Sequence, residues 1–410
     1  VAFIFACLSA SGTSERGLSA ITSHPLFVPA LLTGFLIVAV PLGAGYLSLV
    51  ERKVLADFQV RLGPMRVGPH GILQPIADAL KLLLKEDIIP SRADKAIFWF
   101  APCVSTATAL AAFSVIPFSE SIYVADVNVG LLFILAMSGV GALGIILGGW
   151  ASNSHYPLLG SLRSAAQLVS YEVALALALV PGVMAAGTLS MRGIVKAQAE
   201  RSVWSVFDNY GFMIVPFVLY IIAATAETNR SPFDLPEGEN ELTGGFHTEY
   251  SGLRFAFYFL AEYANVVLVT SVAVILFWGG WLRPFPSVGW LGTTLNLVFP
   301  VFLFGCSGVM IVPLVKRLKD PLQQKVLLAC ALLLMMIGTL FIIPAVNRVV
   351  IGPFWFLLKV FSLVYVLIWF RGTFPRVRYD QLMNICWKVA IPVGMASVLI
   401  NAVLGMLHRS

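Results

Sequence analysis

Three glutamates in this 410-residue chain stand where an acid is costly. Glu172, Glu227 and Glu262 lie inside or at the ends of consecutive apolar stretches long enough to be membrane spans. A charged group at mid-bilayer costs about 2.5–3.5 kcal/mol on insertion scales, so each is a functional candidate by default. Together they offer a chain of proton-accepting sites. The competing reading is an acid paired with an arginine and serving packing. Glu262 has company: Arg254, Tyr258, Glu262 and Asn265 fall at i, i+4, i+8 and i+11, one stripe of a helix. Arg163, Gln167 and Ser170 likewise open the stretch that carries Tyr171 and Glu172.

The stretch that holds Glu227, AETNRSPFDLPEGENELTGGFHTEY, carries six of the 21 acids of the chain: Glu227, Asp234, Glu237, Glu239, Glu241 and Glu249. Ser231-Pro232 and Leu235-Pro236 stop a helix from running through, and Gly244-Gly245 loosens the backbone. A plain connector needs less charge. Phe233, Leu235, Leu242 and Phe246 interleave with the acids, a mixture suited to docking against another protein or lining a polar cavity.

Composition sets the frame for these residues. The chain is 59% hydrophobic and 12% charged, with a mean hydropathy of +0.88. That excludes a soluble domain and predicts an all-α polytopic membrane protein. A net charge of +6 fits basic cytoplasmic loops, and no nucleic-acid partner is expected. The five cysteines stand singly and form no C-x-x-C, so no zinc, iron–sulfur cluster or disulfide framework is expected on this chain. A redox cofactor must therefore belong to another chain.

Spans read at about 26–50, 96–117, 129–150, 165–189, 209–226, 254–279, 291–315, 326–346, 354–370 and 382–407, about ten helices. Residues 1–10 are apolar but lack the basic start of a signal peptide, and 1–25 stay unassigned. Placing loops 51–95, 152–164, 227–253, 316–325 and 371–381 on the cytoplasmic side collects about two thirds of the 27 Lys and Arg there. Lys359 and Lys388 fall within spans. Inside the 51–95 loop, Gln74, Asp78, Lys81 and Lys85 form one polar stripe from Ile72 to Glu86. Fifteen residues reach only about 22 Å, so this is an amphipathic helix lying in the interface plane. It is a surface anchor, or a portal for a lipid-soluble ligand. The 283–350 segment, with its basic connector KRLKDPLQQK, reads as a structural hairpin.

These stretches carry a family resemblance. ERKVLADFQVRLGPMRVGPHGILQPIADALKLLLKED resembles the first cytoplasmic loop of the H-type membrane subunits of proton-pumping NADH:quinone oxidoreductase, respiratory complex I. AETNRSPFDLPEGENELTGGFHTEYSGLRFAFYFLAEYAN is similar to their acidic loop and following helix, and GWASNSHYPLLGSLRSAAQLVSYE and FRGTFPRVRYDQLMNICWK match too. The resemblance covers about 26–282 and 353–408.

It implies a subunit of the bacterial cytoplasmic membrane with no redox centre and no catalysis of its own. Its partners would be peripheral-arm subunits carrying FMN and iron–sulfur clusters, small antiporter-side membrane subunits, and lipid. With the peripheral arm it would enclose a tunnel for ubiquinone or menaquinone and couple quinone reduction to proton translocation. Glu51, Arg52, Gln59, Arg61, Arg66, Asp78, Lys81, Arg371 and Arg378 would belong to the quinone site and tunnel. Glu227, Arg230, Asp234, Glu237, Glu239, Glu241 and Glu249 would form the coupling loop. Glu172, Glu227 and Glu262 would be the intramembrane proton path.

Two departures stand out. The family's usual eight spans become ten through the 283–350 insert, which leaves 351–410 as two C-terminal helices with a basic loop at 371–381. An acid that some members carry in the third span is missing from SGVGALGIILGGW. Two other readings predict different company: a hydrogenase-type membrane anchor, travelling with a nickel subunit, and a stand-alone secondary transporter, which would favour internal repeats that this chain does not display.

Overall fold

A computed structural model describes residues 27–235, 244–284, 298–309, 321–340 and 344–409. These are helical with short connections, and none forms a strand. In chain order the helices are α1 Phe27–Phe58, α2 Gln74–Leu84, α3 Lys95–Ala112, α4 Gly130–Ala151, α5 His155–Ala186, α6 Met191–Arg201, α7 Ile214–Glu227 and α8 Gly252–Phe277. Then come α9 Val298–Val309, α10 Pro321–Leu340, α11 Pro344–Thr373, α12 Tyr379–Ile385 and α13 Ile391–Arg409. The last two are joined through a π-helical turn at Cys386–Ala390. Among the described residues seven helical stretches are long and apolar enough to cross a membrane, and α7 is a shorter apolar helix. The two remaining expected spans, 291–315 and 326–346, contain α9 and much of α10. The acids Glu237, Glu239 and Glu241, residues 1–25 and the start of the basic connector lie outside the described residues.

The axis of the bundle is α8. Its second half, LVTSVAVILF from Leu268 to Phe277, is buried at every position, as a helix apolar on all sides must be. Thr270 and Ser271 satisfy their hydroxyls on the Val266 and Val267 carbonyls, at 2.9 and 2.6 Å. Helices α1, α2, α3, α5, α6, α7 and α11 all touch α8. Its C-terminal end is held by two buried polar side chains. Gln198 donates to the Ile275 and Leu276 carbonyls at 2.8 and 3.1 Å. Lys359, 5% exposed, donates to the carbonyls of Trp278, Gly280 and Leu282 at 2.6, 3.0 and 2.5 Å, and its ammonium lies 4.5 Å from the centre of the Trp204 ring. That cation neutralises the carbonyl end of the helix dipole.

The glycines of α4 let its neighbours approach. A Cβ at Gly144 would stand 2.2 Å from Ser105 Oγ on α3, at Gly148 2.1 Å from Tyr258 Oη on α8, and at Gly149 2.4 Å from the Ser161 side chain on α5. Small residues at such spacing are how membrane helices pack closely.

Three expected boundaries shift most. Helix α11 starts at Pro344, inside the expected 326–346 span and well before the expected 354, with Pro353 accommodated within it. Helix α1 runs on to Phe58, because nothing breaks it before Gly63-Pro64, so Glu51 and Arg52 sit on a helix and not in the 51–95 loop. Helix α5 begins at His155, so most of the expected 152–164 loop, Arg163 included, is helical. The amphipathic helix lies where periodicity places it. None of α2 is buried, and its apolar side chains are open, Leu84 at 86%.

Lys359→Met should leave three carbonyls without their donor and cost about 3 kcal/mol or more. The thermal midpoint of the detergent-solubilised protein reads this out, and an unchanged midpoint would show that the ammonium is dispensable.

Candidate functional site

Helix α7 ends at Glu227, and the chain turns sharply at Asn229, whose φ of 51° is left-handed, a conformation asparagine tolerates. The turn folds Arg230 back, with its N–H on the Thr225 carbonyl at 3.2 Å. Gln167 of α5 pins the turn by donating to the Ala226 and Phe233 carbonyls at 2.7 and 2.8 Å. The guanidinium thereby reaches the core. Arg230 Nη1 donates to both Glu51 oxygens at 2.9 and 3.0 Å, and Nε lies 3.0 Å from Glu262 Oε1. Tyr263 Oη donates to Glu51 Oε2 at 2.7 Å, and its ring lies 4.2 Å from the guanidinium. Arg371 closes the group from α11 by donating to Glu51. Two acids and two arginines so compensate one another. Burial alone would lower the Arg230 pKa, but the carboxylates of Glu262 and Glu51 outweigh it and push it above its usual value.

A cavity of about 280 Å³ opens beside this cluster. Its loop end is walled by Phe246, His247, Phe255 and Arg371, its middle by Tyr258, Glu262 and Asn265, and its inner end by Ser105, Ser138 and Glu227. Ser138 of α4 donates to Glu227 Oε1. Glu172 of α5 is half-buried beside Gly139 and is near enough to act on the Glu227 carboxylate electrostatically. Helix α12 and the π-helical turn after it lie against the same part of α5: Cys386 Sγ donates to the Ser170 carbonyl at 3.2 Å, and Tyr171 Oη to the Leu382 carbonyl of α12 at 3.0 Å. A second opening, lined by Lys81, Lys85, Asp234 and Arg376, shares His247, Phe255 and Arg371 with the cavity.

The residues expected from the sequence divide among three places. Glu51, Arg230, Glu262 and Arg371 form the cluster. Glu227 closes the cavity, and Glu172 lies behind it. Arg52 and Gln74 hold Asp78 at 2.8 and 2.9 Å, tying α2 to α1, while Lys81 borders the second opening. Asp234 pairs with Arg376 at 3.1 Å. The others stand apart. Gln59 accepts from Arg61 at 2.7 Å on the surface, Arg66 is exposed, and Glu249 is half-buried at the loop end. Arg378 is exposed at the N-cap position of α12, where its backbone N–H donates to Gln381 Oε1 at 3.3 Å. The polar stripe of α8 also divides. Tyr258, Glu262 and Asn265 face the cavity, whereas Arg254 pairs with Asp87 at 3.0 Å and packs 4.4 Å from the Trp99 ring centre.

Four residues of the site carry no clear signal in the sequence: Tyr263, Ser138, Gln167 as a clamp, and Arg376. Tyr263 is one position off the stripe. Ser138 looks like another small residue in a glycine-rich span. Gln167 stands out only as a polar residue near Glu172, and Arg376 as one of several arginines in a basic loop.

The NADH dehydrogenase family model matches this chain over residues 31–319 and 318–402, two segments that meet inside the 283–350 stretch. Of two NADH-quinone oxidoreductase H subunits from Solibacter usitatus (strain Ellin6076), the second is 71% identical over 389 residues, covering 95% of this chain and 99% of the relative. An H subunit of the NADH-quinone oxidoreductase of Koribacter versatilis (strain Ellin345) is 51% identical over 378 residues, with 88% of each chain covered. That of Rhodospirillum centenum (strain ATCC 51521 / SW) is 42% identical over 368 residues, with 90% of each covered. A helical membrane chain related to these proteins along nearly its whole length belongs to the NADH dehydrogenase family, as an H-type membrane subunit of NADH-quinone oxidoreductase (complex I).

Proposed function

We propose that this chain forms one wall of the quinone tunnel of complex I and converts quinone reduction into proton movement through its buried acids. The observation that carries this reading is one cavity, walled at its loop end by His247 and Arg371, lined by Glu262, and closed at its inner end by Glu227. Quinone, ubiquinone or menaquinone, is the substrate. Its electrons come from iron–sulfur clusters on peripheral-arm subunits, fed from FMN, and this chain is inactive alone. The in-plane helix α2 frames the tunnel mouth with its open apolar face. The loop around Asp234, together with Arg376, docks the peripheral arm on the cytoplasmic side of the bacterial inner membrane. On the far side the acids hand protons to the antiporter-side subunits.

The chain's own residues have distinct tasks here. Arg371 and Arg230 hold Glu51 charged and fixed, so the cluster is a rigid electrostatic frame. Glu262 is bound to Arg230 on one side and faces the cavity on the other, which makes it the member of the cluster placed to exchange protons. Quinone reduction consumes protons at the headgroup, and carboxylic acids along the cavity replace them. Glu227 and Glu172 repel one another electrostatically when both are ionised, so a proton on one favours loss of a proton from the other.

Glu227→Gln or Glu262→Gln should preserve assembly and lower coupled quinone reduction by about tenfold or more. Membrane vesicles assayed for quinone reduction and proton uptake measure this, and normal turnover with normal pumping in both variants would sink the proposed path. Arg230→Ala should be worse for stability, because it strands Glu51 and Glu262 in the interior at a cost of about 3–5 kcal/mol. The yield of assembled complex on a native gel should fall sharply, and a wild-type yield would show that the cluster is not structural.

A further inference from the structure

Ser138 stands on α4 where two acids meet one turn of helix. Its Oγ donates to Glu227 Oε1. The other carboxylate oxygen, Oε2, is buried and has no hydrogen-bond partner among the described residues. One position on, Gly139 lies against Glu172, where a Cβ would stand 3.2 Å from Oε1 and 3.8 Å from Oε2. Ser138 and Glu227 both border the cavity, with Ser105 and Tyr258 as further polar neighbours. A space of about 280 Å³ lined by such groups is roomy and polar enough to hold water. The serine is thus in contact with the innermost acid and open to the space that leads to the loop.

We propose that the Ser138 hydroxyl is a proton relay between this cavity and Glu227, a role that rests on the coupling reading above. A hydroxyl that donates to a carboxylate keeps lone pairs for a second partner. Once Glu262 has taken up a proton from cavity water while Glu227 is ionised, that proton passes back through the water onto Ser138 Oγ as the Oγ–H proton moves to Glu227 Oε1. One O–H bond forms on the serine as another breaks, so the serine ends as it began. Glu262 becomes ionised and Glu227 neutral, and no electron moves. The short, unbranched side chain suits the task, because it reaches Glu227 while the residue still borders the cavity. In a span with no acid of its own, this hydroxyl supplies the exchangeable proton.

The test uses the intact complex in proteoliposomes with Ser138→Thr, Ser138→Asn and Ser138→Ala. Threonine keeps the hydroxyl. Asparagine keeps a donor toward Glu227, but its amide nitrogen neither gives up that proton nor takes up another from water. Ser138→Thr should retain kcat. Ser138→Asn and Ser138→Ala should lower kcat and pumping together by about tenfold, leave the KM for quinone unchanged and enlarge the solvent deuterium isotope effect. Wild-type turnover and pumping in Ser138→Asn would mean that the serine only holds Glu227, and would overturn the relay. Glu227→Gln measured alongside separates the two ideas. If it is impaired while Ser138→Asn is normal, the relay alone fails; if both are normal, the coupling reading fails with it. Should Ser138→Ala not assemble, the threonine and asparagine variants still decide.

Discussion

The structure depends on how it tolerates Arg230 in its interior. An isolated guanidinium there would be prohibitive. It is tolerated because Glu51 from α1, Glu262 from α8 and the Tyr263 ring arrive at the same point. Each acid needs Arg230 as much as Arg230 needs them, and Arg371 from α11 supplies the second cation for Glu51. Helices α1, α8 and α11 and the turn after α7 are therefore fixed to one another through charge. Such a cluster is weak evidence for net stability, since its desolvation offsets much of its attraction. It is better evidence for a specified geometry, and the geometry it specifies borders the cavity.

From that point α8 carries order in both directions. At its loop end Arg254 pairs with Asp87, just beyond the amphipathic helix α2, so the start of α8 is anchored to that region by an ion pair with a buried guanidinium. At its other end Gln198 occupies the Ile275 and Leu276 carbonyls that the helix terminus leaves free, and Lys359 holds the carbonyls of the turn that follows. Between them every residue from Leu268 to Phe277 is packed. The cavity-lining polar groups of α8 are confined to its first half. A rigid axis with chemistry at one end keeps Tyr258 and Glu262 in place while the cavity beside them stays open.

The α4 side of the cavity has a different construction. It is built on glycines, which bring α4 close enough for Tyr258 Oη to donate to the Gly144 carbonyl at 3.1 Å and for Ser138 to reach Glu227. Close approach and a missing side chain serve the same purpose here. The backbones draw together, and the missing side chain of Gly139 leaves place for the Glu172 carboxylate. Helix α12 and the π-helical turn after it, against Tyr171 and Ser170, give the other face of α5 its own fixed contact.

Much of this is legible in the sequence. Apolar length dictates membrane spans, because backbone groups in lipid must be satisfied within a helix. Periodicity places α2 and the polar face of α8. The cost of buried charge singles out Glu172, Glu227 and Glu262 without any knowledge of the fold. What only the tertiary structure decided was pairing. Glu51 and Arg230 are 179 positions apart, and Glu51 and Arg371 are 320 apart; no local pattern can show that three helices converge there. Nor can periodicity show that Arg254 turns to Asp87 while Glu262, two turns along the same stripe, faces a cavity. Ser138 is invisible for a related reason: a small hydroxyl in a glycine-rich span has the same local signature whether it faces lipid, a neighbouring backbone or an acid. The sequence determined which residues could not be idle, and the packing of distant helices determined with what each one is engaged.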